Sequence, residues 1–352
     1  MKPSFGVRIP CAGALAGPDN MRDAAQEAER RGFDSLWVHD YIIWTKALDR
    51  IHISCGSREA VNAAGPDYPP MFYESISNLA FLAGVTSTIK LGLGVLVLPY
   101  REPVVTAKQL ATIDALSKGR LILGVGQGAA KSTQNVDFEV LGISRADKVA
   151  RTREYLEAMQ RIWSEDSPSL HGTYAKFDDA TIYPKPVQQP HPPIWIGGQA
   201  DKSLEMIADY ADGWLSFWIS PEQFPRAIAE VHRRLEQRGR NPQDFEVGTE
   251  IQIYLAETTE RARKEATPTL LAFEEGYAGT TGGFAESAGS ADTLQEIWNS
   301  SLIGSPADVA AQMHKYVESG CTFFELKFIY RDLPHLFDQL AAFSEEIMPK
   351  LR

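Results

Sequence analysis

A chain of 352 residues, 44% of them hydrophobic, is long enough to bury a substantial core. Its formal net charge of -11, with no long basic stretch, argues against nucleic acid as a partner. No run of about 18 apolar residues occurs, so no membrane-spanning helix is expected. Met1 to Phe5 lead straight into a strand-like segment without the apolar stretch of a signal peptide, which points to a cytoplasmic protein. Cys11, Cys55 and Cys321 are far apart and odd in number, a pattern of reduced thiols rather than a disulfide framework.

Strand and helix patterns alternate from end to end. Phe5 to Ile9 reads as a short strand, followed by a helix over Asp19 to Arg31 with Asp19 as N-cap and Gly32 at its end. Ser35 to Val38 is a second strand and Pro70 to Gly84 its helix. Leu91 to Leu98 is a third, almost wholly apolar strand, and Val104 to Leu116 a helix closed by Lys118 and Gly119. Arg120 to Val125 is the fourth strand, followed by a helix over Asp147 to Trp163. Ile194 to Ile196, Gly213 to Phe217 and Phe245 to Leu255 give strands five to seven, the first two followed by helices Ser203 to Ala211 and Pro221 to Gln237. Ala307 to Ser319 is a helix, Thr322 to Phe328 the eighth strand, and Leu333 to Ile347 the last helix.

Eight strands, each followed by a helix, imply parallel pairing through crossovers. The apolar runs suit strands covered on both faces. The expected fold class is α/β, a (β/α)8 TIM barrel in a single domain over residues 1–352; a doubly wound open sheet is the other arrangement. A minimal barrel needs about 250 residues. The surplus falls largely after strands, at Tyr41 to Pro69, Gln127 to Ala146 and Thr259 to Ser305. That places insertions at the C-terminal face, where barrel active sites sit. The segment Ser164 to Pro193 follows a helix and belongs to the opposite face. Within the strand-seven insertion, the glycine-rich stretch from Gly276 to Ser290 is expected to act as a mobile lid.

Phosphate-loop, zinc-helix and nucleophile-elbow motifs are missing, and the seven histidines lack ligand spacing, so no metal is expected. His39, Asp40 and Tyr41 end strand two, the position of active-site residues in barrels; an Asp there can equally tether a loop. Gly124-Val-Gly126-Gln-Gly128 reads either as a tight turn or as a flat backbone surface beside a ligand. Gly197, Gly198 and Gln199 end strand five and open a helix, giving either a turn or an anion site.

Several segments together resemble the luciferase-like flavin-dependent oxidoreductases. They are Arg31-Gly-Phe-Asp-Ser-Leu-Trp-Val-His-Asp40, Ile89-Lys-Leu-Gly-Leu-Gly-Val-Leu-Val-Leu-Pro99, Pro103-Val-Val-Thr-Ala-Lys-Gln109, Asp114 to Gly126, Pro184 to Gln188, Pro192-Pro-Ile-Trp-Ile-Gly-Gly198 and Ala211-Asp-Gly-Trp214. Gly304 to Asp308 and Val317 to Thr322 extend the match. The resemblance implies a barrel holding a flavin at its C-terminal mouth, with a non-proline cis peptide at Gly94-Val95 behind the ring. It implies cofactor contacts at Asp40, Gly94, Val95, Gln127, Gly197, Gly198 and Gln199; the glycine run adds Gly128 to these. The strand-two position makes Asp40 and Tyr41 the catalytic candidates and His39 a substrate contact, and Trp44, with Tyr41, Phe72 and Tyr73, reads either as an aromatic substrate pocket or as core. The favoured chemistry is an FMNH2-dependent monooxygenase oxidising a small organic substrate with O2. A flavin reductase would supply the reduced FMN, and the chain would assemble as a homo-oligomer. The alternative is hydride transfer with coenzyme F420. Deazaflavin-dependent dehydrogenases of this class carry a His after the strand-two Asp, where this chain has Tyr41, and the sugar-phosphate type uses a Glu where it has Ala129. A second alternative is a non-catalytic, flavin-binding or accessory barrel.

Overall fold

The computed structural model describes residues 2–44, 71–128, 135–277 and 293–352. In chain order the first half comprises β1 (Ser4–Arg8), α1 (Pro18–Arg30), β2 (Ser35–Val38), α2 (Ser75–Val85), β3 (Lys90–Leu93), β4 (Leu96–Val97), α3 (Pro103–Leu116), β5 (Leu121–Gly126), α4 (Asn135–Val140) and α5 (Lys148–Ser164). The second half comprises β6 (Leu170–His171), β7 (Lys176–Phe177), β8 (Ile194–Gly197), α6 (Asp201–Tyr210), β9 (Gly213–Phe217), α7 (Phe224–Gln237), β10 (Glu246–Leu255), α8 (Thr259–Tyr277), α9 (Thr293–Asn299), β11 (Leu302–Gly304), α10 (Pro306–Glu318), β12 (Phe323–Phe328) and α11 (Leu333–Ala342).

Strands β1, β2, β3, β5, β8, β9, β10 and β12 pair in parallel in that order, and β12 returns to β1. The sheet is a closed barrel, as the alternating pattern implies, and the open-sheet alternative is excluded. Local chemistry sets the helix starts. Glu74 caps α2 by accepting from the Ile76 and Ser77 N–H groups, and Ser305 caps α10 by accepting from the Asp308 N–H. Two expectations shift here. Asp19 lies in the first turn of α1, whose N-cap is Gly17 with Pro18 following. The third strand is broken: β3 ends at Leu93 and β4 resumes at Leu96.

The barrel interior is layered. Its lower part is filled by Trp37, Ile122, Trp195, Leu215 and Phe323, all buried. Such rings fit because neighbouring strands offer glycine opposite them. A Cβ on Gly6 would lie 2.4 Å from the Trp37 ring nitrogen, one on Gly92 2.5 Å from the same ring, and one on Gly213 2.8 Å from Trp195 Nε1. Side-chain volume is thus supplied by some strands and yielded by their neighbours, as close packing requires.

The Thr259–Ser305 segment is more structured than a loop. Strand β10 overshoots the barrel rim, and its residues Ile253 to Leu255 pair in parallel with Leu302 to Gly304 of β11. Helix α8 packs Ala262, Ala266 and Leu270 against Tyr254, Ile303 and Ile329. A period-3.6 apolar pattern over Ala262, Ala266 and Leu270 was the available signal for this helix. Of the expected lid, residues 278–290 lie outside the described residues, as do most of Tyr41 to Pro69 and residues 129–134. The Ser164 to Pro193 insertion carries the β6–β7 hairpin, and Pro184 and Pro190 follow cis peptide bonds. No helix among the described residues is long and apolar enough to cross a membrane.

Candidate active site

Above the aromatic layer lies a layer of charge. Arg8 ends β1, Glu250 sits on β10, and Glu325 and Lys327 sit on β12. The alternation of strand side chains points these residues into the barrel. Arg8 binds Glu325 through both Nε (2.8 Å) and Nη2, and Nη2 also reaches Glu250 Oε2 at 3.1 Å and the Gly94 carbonyl at 3.1 Å. Lys327 Nζ lies 3.6 Å from Glu250 Oε1. Burial tends to raise both acids. Arg8 and Lys327 overcome it at Glu250, whose pKa is lowered. Glu325 is wholly buried and lies near Glu250, and its pKa is pushed up to about 7 despite Arg8. The sequence reading missed all four residues. The signal was there: charged residues interrupt strands that are otherwise apolar, at alternate positions in the case of Glu325 and Lys327.

Over this layer the chain bulges between β3 and β4, and the Gly94-Val95 peptide is cis as expected. Gly94 is glycine because a Cβ there would lie 2.6 Å from Glu325 Oε2. The Val95 side chain settles on glycines of the next two strands. A Cβ on Gly126 would lie 2.5 Å from Val95 Cγ2, and one on Gly197 3.2 Å from its Cγ1. A Cβ on Gly124 would strike the Leu93 carbonyl at 1.8 Å. Gly124 and Gly126 therefore seat the bulge; their role is close packing of chain on chain.

Asp40 fastens the same bulge from the side. Its Oδ2 accepts from the Val97 N–H at 3.0 Å, and its Oδ1 accepts from Ser75 Oγ at 2.8 Å and from Arg101. Arg101 also pairs with Glu74 at 2.7 Å. Burial raises the Asp40 pKa, opposed by Arg101, Ser75 and the Val97 N–H. Its side chain is fully enclosed, so in this arrangement it holds β2, β4 and α2 together. Behind it, Asp137 of α4 accepts from the Ile43 N–H at 2.7 Å, and burial pushes its pKa up to about 6.

The rim is aromatic. Tyr41, Trp44, Phe72, Trp218 and Phe273 form one cluster. His39 is buried with its ring edge-on to Tyr41 and Phe72, and its Nδ1 lies 3.4 Å from Arg8 Nη1. Lys327 Nζ stands 4.0 Å over the Phe273 ring. The other predicted residues gather across the mouth. Gln127 Nε2 donates to Ser203 Oγ at 3.2 Å, and the Gly128 carbonyl accepts from Lys148 at 2.7 Å. Gly198 adopts a φ of +123°, and a Cβ on it would lie 2.8 Å from Ser203 Oγ. Helix α6 begins directly after this turn with no side-chain cap, leaving backbone N–H groups available. The Gln199 amide donates to the Phe217 carbonyl, while its Oε1 has no hydrogen-bond partner among the described residues.

The expected residues thus divide into two groups. Gly94, Val95, Gln127, Gly128, Gly197, Gly198 and Gln199 lie on the β3–β8 side, and His39, Tyr41 and Trp44 lie in the aromatic rim, with Asp40 clamped beneath the bulge. A ledge, an uncapped helix start and a buried orphan acceptor suit a planar ligand carrying an anionic tail and N–H groups. Among the described residues no group of His, Cys, Asp and Glu could hold a metal ion.

Residues 5–322 match the family described as luciferase-like monooxygenase. The chain is 24% identical to the FMNH2-dependent dimethylsulfone monooxygenase of Pseudomonas putida, over 95% of its own length and 88% of that protein. Its fold superposes on the monooxygenase RslO1 of Streptomyces bottropensis with a TM-score of 0.76, at 22% identity and covering 98% and 99% of the two chains. A secondary alcohol dehydrogenase described as F420-dependent gives the same TM-score of 0.76 at 18% identity, with both chains fully covered. With a family match spanning most of its residues on a closed eight-stranded barrel, the chain belongs to the luciferase-like monooxygenase family.

Proposed function

We propose that this protein is an FMNH2-dependent monooxygenase that oxidises a small organic substrate with O2. One observation carries the reading: similarity to an FMNH2-dependent dimethylsulfone monooxygenase along 95% of the chain. The residues fit such a cofactor. The Gly197-Gly198-Gln199 turn, Ser203, Gln127 and the start of α6 would take the phosphate. The Gly94-Val95 bulge would back the ring, and Gln199 Oε1, buried without a partner among the described residues, would be available to accept from a donor on the cofactor. Reduced FMN bound there supplies the two electrons by which one atom of O2 enters the substrate and the other leaves as water. The chain's own part is to orient and to keep water out. Asp40 and Arg8 fix the bulge through the Val97 N–H and the Gly94 carbonyl. Tyr41 and Trp44, with Phe72 and Phe273, wall the substrate side with apolar surface, and His39 stands edge-on to Tyr41 and Phe72 beside them. A separate flavin reductase would deliver the reduced cofactor.

Likeness to the F420-dependent dehydrogenase favours a second reading, hydride transfer with coenzyme F420. Against it, Tyr41 stands where such dehydrogenases carry a His, and its ring is buried against Phe72 at 5.5 Å. The deciding experiment is parallel titration with FMN, photoreduced FMN and F420 under argon, followed by fluorescence. Tightest binding of reduced FMN is expected, with substrate-dependent O2 uptake on mixing with air. Tight F420 binding with no retention of reduced FMN would reject the monooxygenase reading.

A further inference from the structure

The β10–β12 lip of the mouth, opposite the bulge, holds a group that no other described residue uses. Gln252 points inward by the same strand alternation as Glu250 and sits in register with Lys327 of β12. It is 5% exposed, and its Nε2 has no hydrogen-bond partner among the described residues. A buried, unsatisfied amide carries a desolvation cost that a ligand acceptor would relieve. The surroundings narrow the ligand. Arg8 and Lys327 both direct their charge at Glu250, at 3.1 and 3.6 Å, so the Gln252 amide is a neutral N–H donor beside an already paired cation. Glu250 itself remains 22% exposed at the side-chain level and engages both cations, so a buried anion would find no free counter-charge to offset its desolvation. Next to Lys327 stands Phe273, edge-on to Trp218 at 5.3 Å, which offers an apolar wall.

We propose that the Gln252 amide is the hydrogen-bond donor of a substrate subsite on this lip. It takes the oxygen of a small neutral molecule, a sulfone or carbonyl compound, whose alkyl groups lie against Phe273. The inference rests on the monooxygenase reading for its substrate class, while the donor itself stands on the geometry of β10 and β12. It selects a neutral oxygen acceptor over a sulfonate or carboxylate.

The test is calorimetric titration of FMN-loaded wild type and Gln252→Leu with three probes: dimethyl sulfone, dimethyl sulfide and sodium methanesulfonate. Loss of one hydrogen bond should weaken the sulfone about tenfold in the variant. The sulfide, which lacks the acceptor oxygen, should change less than about twofold, and FMN affinity should be unchanged. Methanesulfonate should bind wild type more weakly than the sulfone. The melting temperature should hold or rise, because Leu removes an unpaired buried amide. Should Leu fail to fold, Gln252→Asn withdraws the amide by one methylene and should give the same loss of sulfone affinity. Equal sulfone affinity in wild type and variant, absence of sulfone binding, preference for methanesulfonate, or weakened FMN binding in the variant would each overturn the proposal. If the protein retains F420 and not FMN, the monooxygenase reading fails; the same comparison on F420-loaded protein still decides the subsite.

Discussion

Replacing Gly94 by alanine tests whether the charged layer and the bulge are one mechanical unit. The added Cβ would lie 2.6 Å from Glu325 Oε2, 2.9 Å from Oε1 and 3.1 Å from Arg8 Nη2. Ordinary contact requires about 3.4 Å or more, so the carboxylate has to retreat by nearly 1 Å. It has no solvent to retreat into, since Glu325 is 0% exposed. Overpacking of this kind costs about 1–3 kcal/mol, and stretching a charge-assisted hydrogen bond to Arg8 adds about 1.5–3 kcal/mol. Together, about 2.5–6 kcal/mol is expected. At about 2.1 cal/mol/K per residue over 352 residues, the unfolding entropy is about 0.74 kcal/mol/K. The melting temperature should therefore fall by about 3–8 °C in differential scanning calorimetry. Glu325→Asp shortens the side chain by one methylene and vacates the space, so the double variant should lose clearly less than the two single variants added. A Gly94→Ala protein melting within 1 °C of wild type, or full additivity with Glu325→Asp, would refute the steric account.

Two further outcomes follow from the clamp around the bulge. Burial, with the neighbouring Asp40 charge, raises the Asp137 pKa to about 6. The folded chain therefore holds a proton that the unfolded chain, with a value near 4, has released. Wild type should lose about 2–3 kcal/mol relative to Asp137→Asn as pH rises from about 4 to 7, read from urea midpoints; parallel pH profiles would contradict this. Asp40→Ala leaves Arg101, 12% exposed, facing Glu74 alone and strips the Val97 N–H of its acceptor. A loss of about 3–5 kcal/mol is expected together with weaker FMN binding, with Asp40→Asn milder on both counts. An unchanged melting temperature for the alanine variant would argue against the clamp.

The barrel was legible because its signals are local: short apolar strands, helix starts and glycine ends recur along the chain. The bulge was legible through resemblance, in the run Leu93-Gly-Val-Leu96. The charged layer was not. Arg8 and Glu325 are 317 residues apart in sequence, and only closure of β1 on β12 makes them partners. Each alone reads as an odd residue in a strand. Asp40 was recognised by position, but its hydrogen bonds to Val97, Ser75 and Arg101 depend on where three separate segments converge. Gly124 and Gly126 read as a tight turn or as a surface beside a ligand. What lies against them is Leu93 and Val95 of the same chain, which period and composition cannot reveal. Helix α8 was passed over because its apolar stripe adjoins a glycine-rich tract that dominated the reading of the whole segment.

The aromatic floor formed by Trp37, Trp195 and Phe323 has a kinetic consequence. With the lower barrel filled by rings that are at most 5% exposed, no tunnel runs along its axis. Two guests that shared the upper mouth, as the proposed reading requires, would use one doorway. The one lodged against the bulge and the α6 turn would arrive first and depart last. Traffic through such a vestibule would be a queue, its order set by the floor rather than by either guest.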